Sequence, residues 1–152
     1  MDEPSGYALT PGVPTTTDYV RLRRESGLTP RTPEQADRAL RGSWAGCHVV
    51  HVDDRTTVGM GRLIGDGGWY FHVVDMAVLP AHQRRGIGDW VLSWLLDRVR
   101  EQAPTDAFVS LMADPPGRRL YARHGFVAPD GFPSYMEIVD RDVYRAAAAT
   151  DR

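Results

Sequence analysis

The sequence contains no lysine: each of its 18 basic residues is an arginine. Against 20 acidic residues the formal net charge is only -2. That excludes the broad positive field needed for non-specific nucleic-acid binding, and no nucleic-acid partner is expected. The missing lysine reads as a genomic composition bias. It also leaves arginine as the only fixed cation for gripping a phosphate. Cysteine is almost absent too. Cys47 stands alone, which rules out an intrachain disulfide and a multi-cysteine metal site, and no metal is expected. It lies in the apolar run from Ala45 to Val50 with no evident base beside it, so it reads as core rather than nucleophile. No segment approaches the ~18 consecutive apolar residues of a membrane span. The acidic start Met1-Asp2-Glu3-Pro4-Ser5-Gly6 lacks the basic and apolar regions of a signal peptide. A cytoplasmic protein without a membrane partner is therefore expected. Internal repeats and low-complexity linkers are also missing, so the chain reads as a single domain over 1–145 with a short tail at 146–152.

What is present suits a soluble globular protein. Apolar residues make up 42% and charged residues 25% of 152, enough to bury a core without disulfides. Thr17-Asp18 is placed to cap a first helix running to about Gly27. Thr32-Pro33-Glu34-Gln35 supplies an N-cap, a first-turn proline and an acidic start for a second helix ending near Arg41. Residues 44–52 and 56–64 read as a hairpin about the turn Asp53-Asp54-Arg55. After Gly65-Asp66-Gly67-Gly68 comes an eleven-residue β-branched and aromatic run from Trp69 to Leu79, closed by Pro80. It is apolar on both faces and predicts a central strand. Trp90, Val91, Trp94, Leu95 and Val99 recur at helical spacing. Residues 107–112 predict a strand, Pro116 and Gly125 bracket a short helix, and residues 134–139 predict the last strand. The order predicts an α/β fold with a mixed sheet flanked by about four helices.

The chemistry concentrates in Gln83-Arg84-Arg85-Gly86-Ile87-Gly88. A glycine turn between a strand and a helix aims unpaired backbone N–H groups and the positive end of the helix dipole at one spot. Gly86 and Gly88 remove the Cβ atoms that would keep a phosphate away, and Arg84 and Arg85 add direct charge pairing. A tight, solvated connection would also explain the turn. It is neither the P-loop of ATP-binding proteins nor the Gly-x-Gly-x-x-Gly of dinucleotide binders.

Val74-Asp75-Met76-Ala77-Val78-Leu79-Pro80 followed by Gln83-x-x-Gly86-x-Gly88 resembles the acetyl-CoA motif of the GNAT acetyltransferase superfamily. Leu120-Tyr121-Ala122-Arg123-His124-Gly125-Phe126 is similar to the second signature of that family. The two together span 69–127. The resemblance implies a mostly antiparallel GNAT-like sheet splayed between two strands. It implies acetyl-CoA as co-substrate, with Met76, Ala77, Val78, Gln83, Arg84, Arg85, Gly86, Ile87, Gly88 and Asp89 as its contacts. The backbone of Met76 and Val78 would pair with the pantetheine arm, and Tyr121 would be the acid for the leaving thiolate. Two readings of Tyr121 stay open, acid or packed anchor for the sulfur. His72 resembles the base position of several members; by strict alternation it shares a face with Val74, Met76 and Val78, while Asp75 points the other way. Base and hydrogen-bonded core residue both remain open for His72. Asp114 stands where the family commonly has asparagine, and is read as a helix N-cap.

The implied activity is acetyl transfer from acetyl-CoA to the primary amine of a small molecule by direct attack in a ternary complex. A non-catalytic acyl-CoA-binding regulatory module and a protein N-acetyltransferase are the alternatives, and a homodimer is compatible with either. The family's acceptor pocket is built from the N-terminal helices and the loop before the last strand. Here these carry Tyr19, Arg21, Trp44, Trp69, Phe132 and Tyr135.

Overall fold

The computed structural model describes residues 3–130 and 135–139. Among the described residues seven strands form one sheet in the order β1-β2-β3-β4-β5-β7-β6, where β1 is Tyr7–Pro11, β2 Ala45–His51, β3 Thr57–Gly65, β4 Tyr70–Val78, β5 Phe108–Met112, β6 Phe126–Val127 and β7 Tyr135–Ile138. Only β4 and β5 pair in parallel; all other neighbours are antiparallel. Four helices flank the sheet among the described residues: α1 (Thr16–Glu25), α2 (Pro33–Arg41), α3 (Ile87–Gln102) and α4 (Arg118–Arg123). The fold is thus the α/β arrangement expected. No helix among the described residues is long and apolar enough to cross a membrane.

Several details depart from the expectation. The segment 7–11 pairs with β2 as an edge strand, where no strand was expected ahead of the Pro/Thr-rich stretch from Thr10 to Thr17; an edge position tolerates Pro11 because one side needs no ladder partner. The short β6 was likewise not anticipated. The first helix is capped by Thr15, whose hydroxyl accepts from the Asp18 N–H, rather than by residues 17 and 18. Thr32 caps α2 as read, completed by the Gln35 side chain accepting from the Thr32 N–H. The predicted start of the last strand at Ser134, Phe132 and the 146–152 tail lie outside the described residues.

Two apolar layers hold the sheet. α3 packs Ile87, Val91, Leu92, Leu95, Leu96 and Val99 against one face, meeting Leu63, Phe71, Val73, Val109 and Leu111. Each such side chain contributes about 1.5–3 kcal/mol on burial. On the opposite face a smaller cluster joins Tyr19 and Leu22 of α1, Ala36 and Leu40 of α2, Met60 of β3 and Ala77 of β4. Cys47 is buried in the α3 layer, where burial pushes its thiol up to about 12. It is a packing residue, since only the thiolate is reactive.

Gly61 sets how closely α3 approaches. A Cβ there would lie 2.6 Å from Val91 Cγ1, 2.7 Å from Met76 Sδ and 3.0 Å from Leu95 Cδ1. The β-branched Val91 has little freedom to move aside. Gly61→Ala is expected to destabilise the fold by about 1–3 kcal/mol, read as a lower urea midpoint at unchanged m-value.

Candidate active site

The site begins with a fault in β4. Asp75 adopts a left-handed backbone conformation (φ 57°), and the β3–β4 register slips between Met60 and Arg62. This is a β-bulge, with Asp75 and Met76 together opposite Gly61. The extra residue reverses alternation beyond it. Val74 pairs with Arg62, which donates from Nη1 to the Ala39 carbonyl (3.2 Å) and the Ser43 hydroxyl (3.3 Å) at the end of α2. Val74 and His72 therefore lie on the α1/α2 face. Met76, in contact range of Gly61 beside Val91, lies on the α3 face, as does Val78 opposite Gly59. The expected common face for His72, Val74, Met76 and Val78 is thus corrected: His72 and Val74 sit on one side, Met76 and Val78 on the other. Asp75, expected opposite His72, instead shares its side.

Charge fixes the bulge. The Asp75 carboxylate pairs with Arg23 of α1 and Arg62 of β3, and accepts from the Tyr19 hydroxyl (2.7 Å). Burial and that hydrogen bond raise the Tyr19 phenol above its ordinary value.

Just before the bulge the sheet opens. β4 pairs with β5 only from Tyr70–Phe108 to Val73–Leu111, while its ladder to β3 runs on to Val78. Beyond Val73, then, the β5-facing edge of β4 has no strand partner among the described residues. A cleft of about 1060 Å³ occupies the gap. It is lined by His72, Met76, Ala77, Val78, Gln83, Arg84, Gly86, Ile87, Gly88, Asp89 and Tyr121, so the structure brings all but one of the expected site residues to one space. The exception is Arg85, which does not line the cleft; its charge acts instead on His82, helping with burial and His51 to hold that imidazole below its ordinary value.

At one end the cleft meets the start of α3. Arg84 (φ 60°) and Gly86 (φ 84°) both adopt left-handed backbone, and Gly86 occupies the N-cap position without a side-chain cap. The first-turn N–H groups of α3 are left for an anion. Gln83 donates from Nε2 to the Val78 carbonyl (3.0 Å), so that acceptor is already engaged. Asp89 faces the cleft, yet its carboxylate is tied to Arg123 (2.8 Å) and His124 (3.1 Å). Partial burial would raise its pKa, but these partners outweigh burial and lower it. It clamps α3 to α4 rather than offering a free group.

Tyr121 lines the cleft from α4. It is buried, packs on Gly117, whose added Cβ would lie 2.8 Å from the ring, and its hydroxyl has no hydrogen-bond partner among the described residues. Burial, with a smaller push from the Asp114 charge, raises it to about 12. Asp114 does precede the 3-10 turn Pro115–Gly117, but its side chain makes no capping bond, which corrects that reading. His72 is half-buried, with Nδ1 2.8 Å from the hydroxyl of fully buried Ser110, and burial lowers its pKa below the ordinary 6.5. Ser110 was not singled out; a lone hydroxyl inside an apolar strand was its only signal.

Of the residues expected around an acceptor, Tyr19 lines a small cavity beside Asp75. Trp44 instead packs at a tilt against Phe71 of the core (4.6 Å between centroids), and Arg21 pairs with Asp18 (3.0 Å). Trp69 is exposed, and Tyr135 donates to Glu137 (3.1 Å).

Comparison with known proteins agrees with this geometry. No curated protein sequence matches the chain. A protein of unknown function from methicillin-resistant Staphylococcus aureus, described as a probable acetyltransferase, is 33% identical over 82% of this chain and 92% of its own, with a TM-score of 0.77. Two Escherichia coli enzymes share the fold. The ribosomal-protein-S18-alanine N-acetyltransferase is 14% identical over 86% and 90% of the two chains (TM-score 0.69). The GNAT family N-acetyltransferase YhbS, solved in complex with CoA, is 17% identical over 95% and 87% (TM-score 0.64). Residues 44–128 match the family model for the acetyltransferase (GNAT) domain, and with it the chain belongs to the GNAT acetyltransferases.

Proposed function

We propose that the protein transfers an acetyl group from acetyl-CoA to the primary amine of a small molecule held with the donor in a ternary complex. The observation that carries this reading is the single cleft in which the parted edge of β4, the uncapped start of α3, His72 and Tyr121 all meet. Its residues fit the donor in kind. Unpaired backbone between apolar walls suits an amide-bearing pantetheine arm, and the N–H groups of residues 86–89, with Arg84, suit a pyrophosphate. The CoA bound to YhbS supports the same choice.

Acetyl-CoA supplies a thioester carbonyl for the amine to attack and a sulfur that leaves. His72 takes the proton of the incoming ammonium. Its lowered pKa keeps the imidazole neutral near pH 7, and Ser110 on Nδ1 leaves Nε2 for the transfer. Tyr121, held protonated by burial, donates to the sulfur as the C–S bond breaks and charge builds there. The phenol regains its proton as the new amide nitrogen sheds its surplus one. His72 returns its proton to solvent, and the products are the N-acetyl compound, the free thiol and that proton.

Acetyl-CoA at 100 times its dissociation constant is expected to protect the folded protein by about 2.7 kcal/mol in a thermal-shift assay. Absence of any shift overturns the reading. Arg84→Gly, which suits the left-handed backbone at that position, should weaken acetyl-CoA binding about tenfold through loss of a charge-assisted contact, measured by titration calorimetry.

Tyr121→Phe should lower kcat by about 100-fold with little change in acetyl-CoA affinity; equal turnover would remove Tyr121 as acid. For His72 the neutral form is the active one, and its folded pKa is depressed. The acidic limb of kcat/KM should therefore fall at a pH below 6.5, with activity lost as pH drops through it. His72→Ala should remove that limb, and an unchanged profile returns His72 to a packing role.

A further inference from the structure

On the α1/α2 face, beside the bulge, lies a second cavity of about 370 Å³ lined in part by Tyr19, Arg23, Arg31, Arg62 and Asp75. Arg23, Val74 and Asp75 line both this space and the large cleft, so the two adjoin at the bulge. The charged lining is three arginines and one carboxylate. Asp75 accepts from Arg23, Arg62 and Tyr19 at once, and one carboxylate cannot neutralise two guanidinium groups. Arg23 uses Nη1 on Asp75 and Nε on the Thr29 carbonyl (2.8 Å); Arg62 uses Nε on Asp75 and Nη1 on Ala39 and Ser43. The Nη2 group of each has no hydrogen-bond partner among the described residues, and Arg31, in the loop between α1 and α2, makes no ion pair there. The buried pair therefore carries one positive charge more than its acid balances, next to the cleft and with donors to spare.

We propose that this cavity receives the carboxylate of the acceptor, and that the enzyme acetylates small amino acids in preference to amines lacking the acid. This rests on the acetyl-transfer reading above and names its substrate class. A monoanion matches the single excess charge of the buried pair, and a carboxylate presents two oxygens to guanidinium donors, the geometry that arginine binds best. The anchored acid holds the molecule at the junction of the two cavities, on the His72 side of the sheet. A plain amine brings no partner for the excess charge.

The test compares matched pairs as acceptors, following thiol release from acetyl-CoA: phenylalanine with phenethylamine, tyrosine with tyramine, 4-aminobutyrate with butylamine. At least one acid-bearing member should exceed its plain partner about tenfold in kcat/KM, the return expected of a charge-assisted contact. Arg31→Gln should shrink that ratio several-fold, and Arg31→Glu should shrink it further. Arg31 is exposed in a loop, and protection of both variants by acetyl-CoA reports that they fold. Plain amines turned over as well as the acids, or a ratio untouched by both substitutions, overturns the inference while leaving acetyl transfer intact. Failure of acetyl-CoA to protect the wild-type protein overturns the acetyl-transfer reading instead. Should no pair be turned over, N-acetylphenylalanine and N-acetylphenethylamine are compared for thermal protection in the presence of CoA. Protection by the acid alone, lost in Arg31→Glu, supports the site; equal protection or none overturns it.

Discussion

The left-handed turn at Asp75, clamped by Arg23 and Arg62, is the constraint on which the rest of the site depends. A non-glycine residue in that conformation costs of order 1–3 kcal/mol and persists only when its surroundings hold it. Here α1 and β3 each supply a cation to the same carboxylate, and Tyr19 adds a hydroxyl. Removing one member of a buried ion cluster strands the remainder, at about 3–5 kcal/mol, so the cluster locks conformation more than it adds stability. In doing so it fastens α1 to the sheet at the point where the strand changes face.

That change of face divides the labour of β4. Upstream of the bulge His72 and Val74 look toward α1 and α2; downstream Met76 and Val78 look toward α3. The parallel ladder to β5 ends at Val73, just before the bulge. A bulge bends its strand and increases the local twist, and β4 continues past it bonded on one side only. The resulting gap runs through the sheet and connects its two faces. Under the acetyl transfer proposed above, a donor arm would lie along the free edge on one side while an acceptor approaches from the other.

The electrostatics of the cleft follow from packing. At α3, the only acidic residue of the first turn, Asp89, is held by Arg123 and His124, so its charge does not oppose an anion at the uncapped N–H groups. At Tyr121 and His72, burial works in opposite numerical directions with one chemical result: both side chains are kept neutral near pH 7, the phenol with its proton and the imidazole without one. Those protonation states suit the proton donor and acceptor roles proposed for the two side chains.

Much of this was legible in the residues. The long apolar strand, the glycine turn and the following amphipathic helix are set by local propensity and short-range spacing, and Gln83 to Gly88 and Leu120 to Phe126 pointed to the family that the fold then bore out. The edge strand 7–11 was hidden because its pairing lies on a distant segment, and the N-cap slipped by two residues because several threonines compete for it. Which side of the sheet each β4 side chain occupies was beyond sequence reasoning. Alternation assumes a regular strand, and one residue in a left-handed conformation inverts every later position. That residue is stabilised by Arg23 and Arg62, separated from it by 52 and 13 positions. The sequence by itself determined the family, the order of the elements from α1 to α4 and the position of the glycine turn, because those depend on neighbours along the chain. Only the tertiary structure decided the face of His72, the pairing of Asp89 and the arginine-lined cavity, because charges distant in sequence meet there and local pattern carries no record of them.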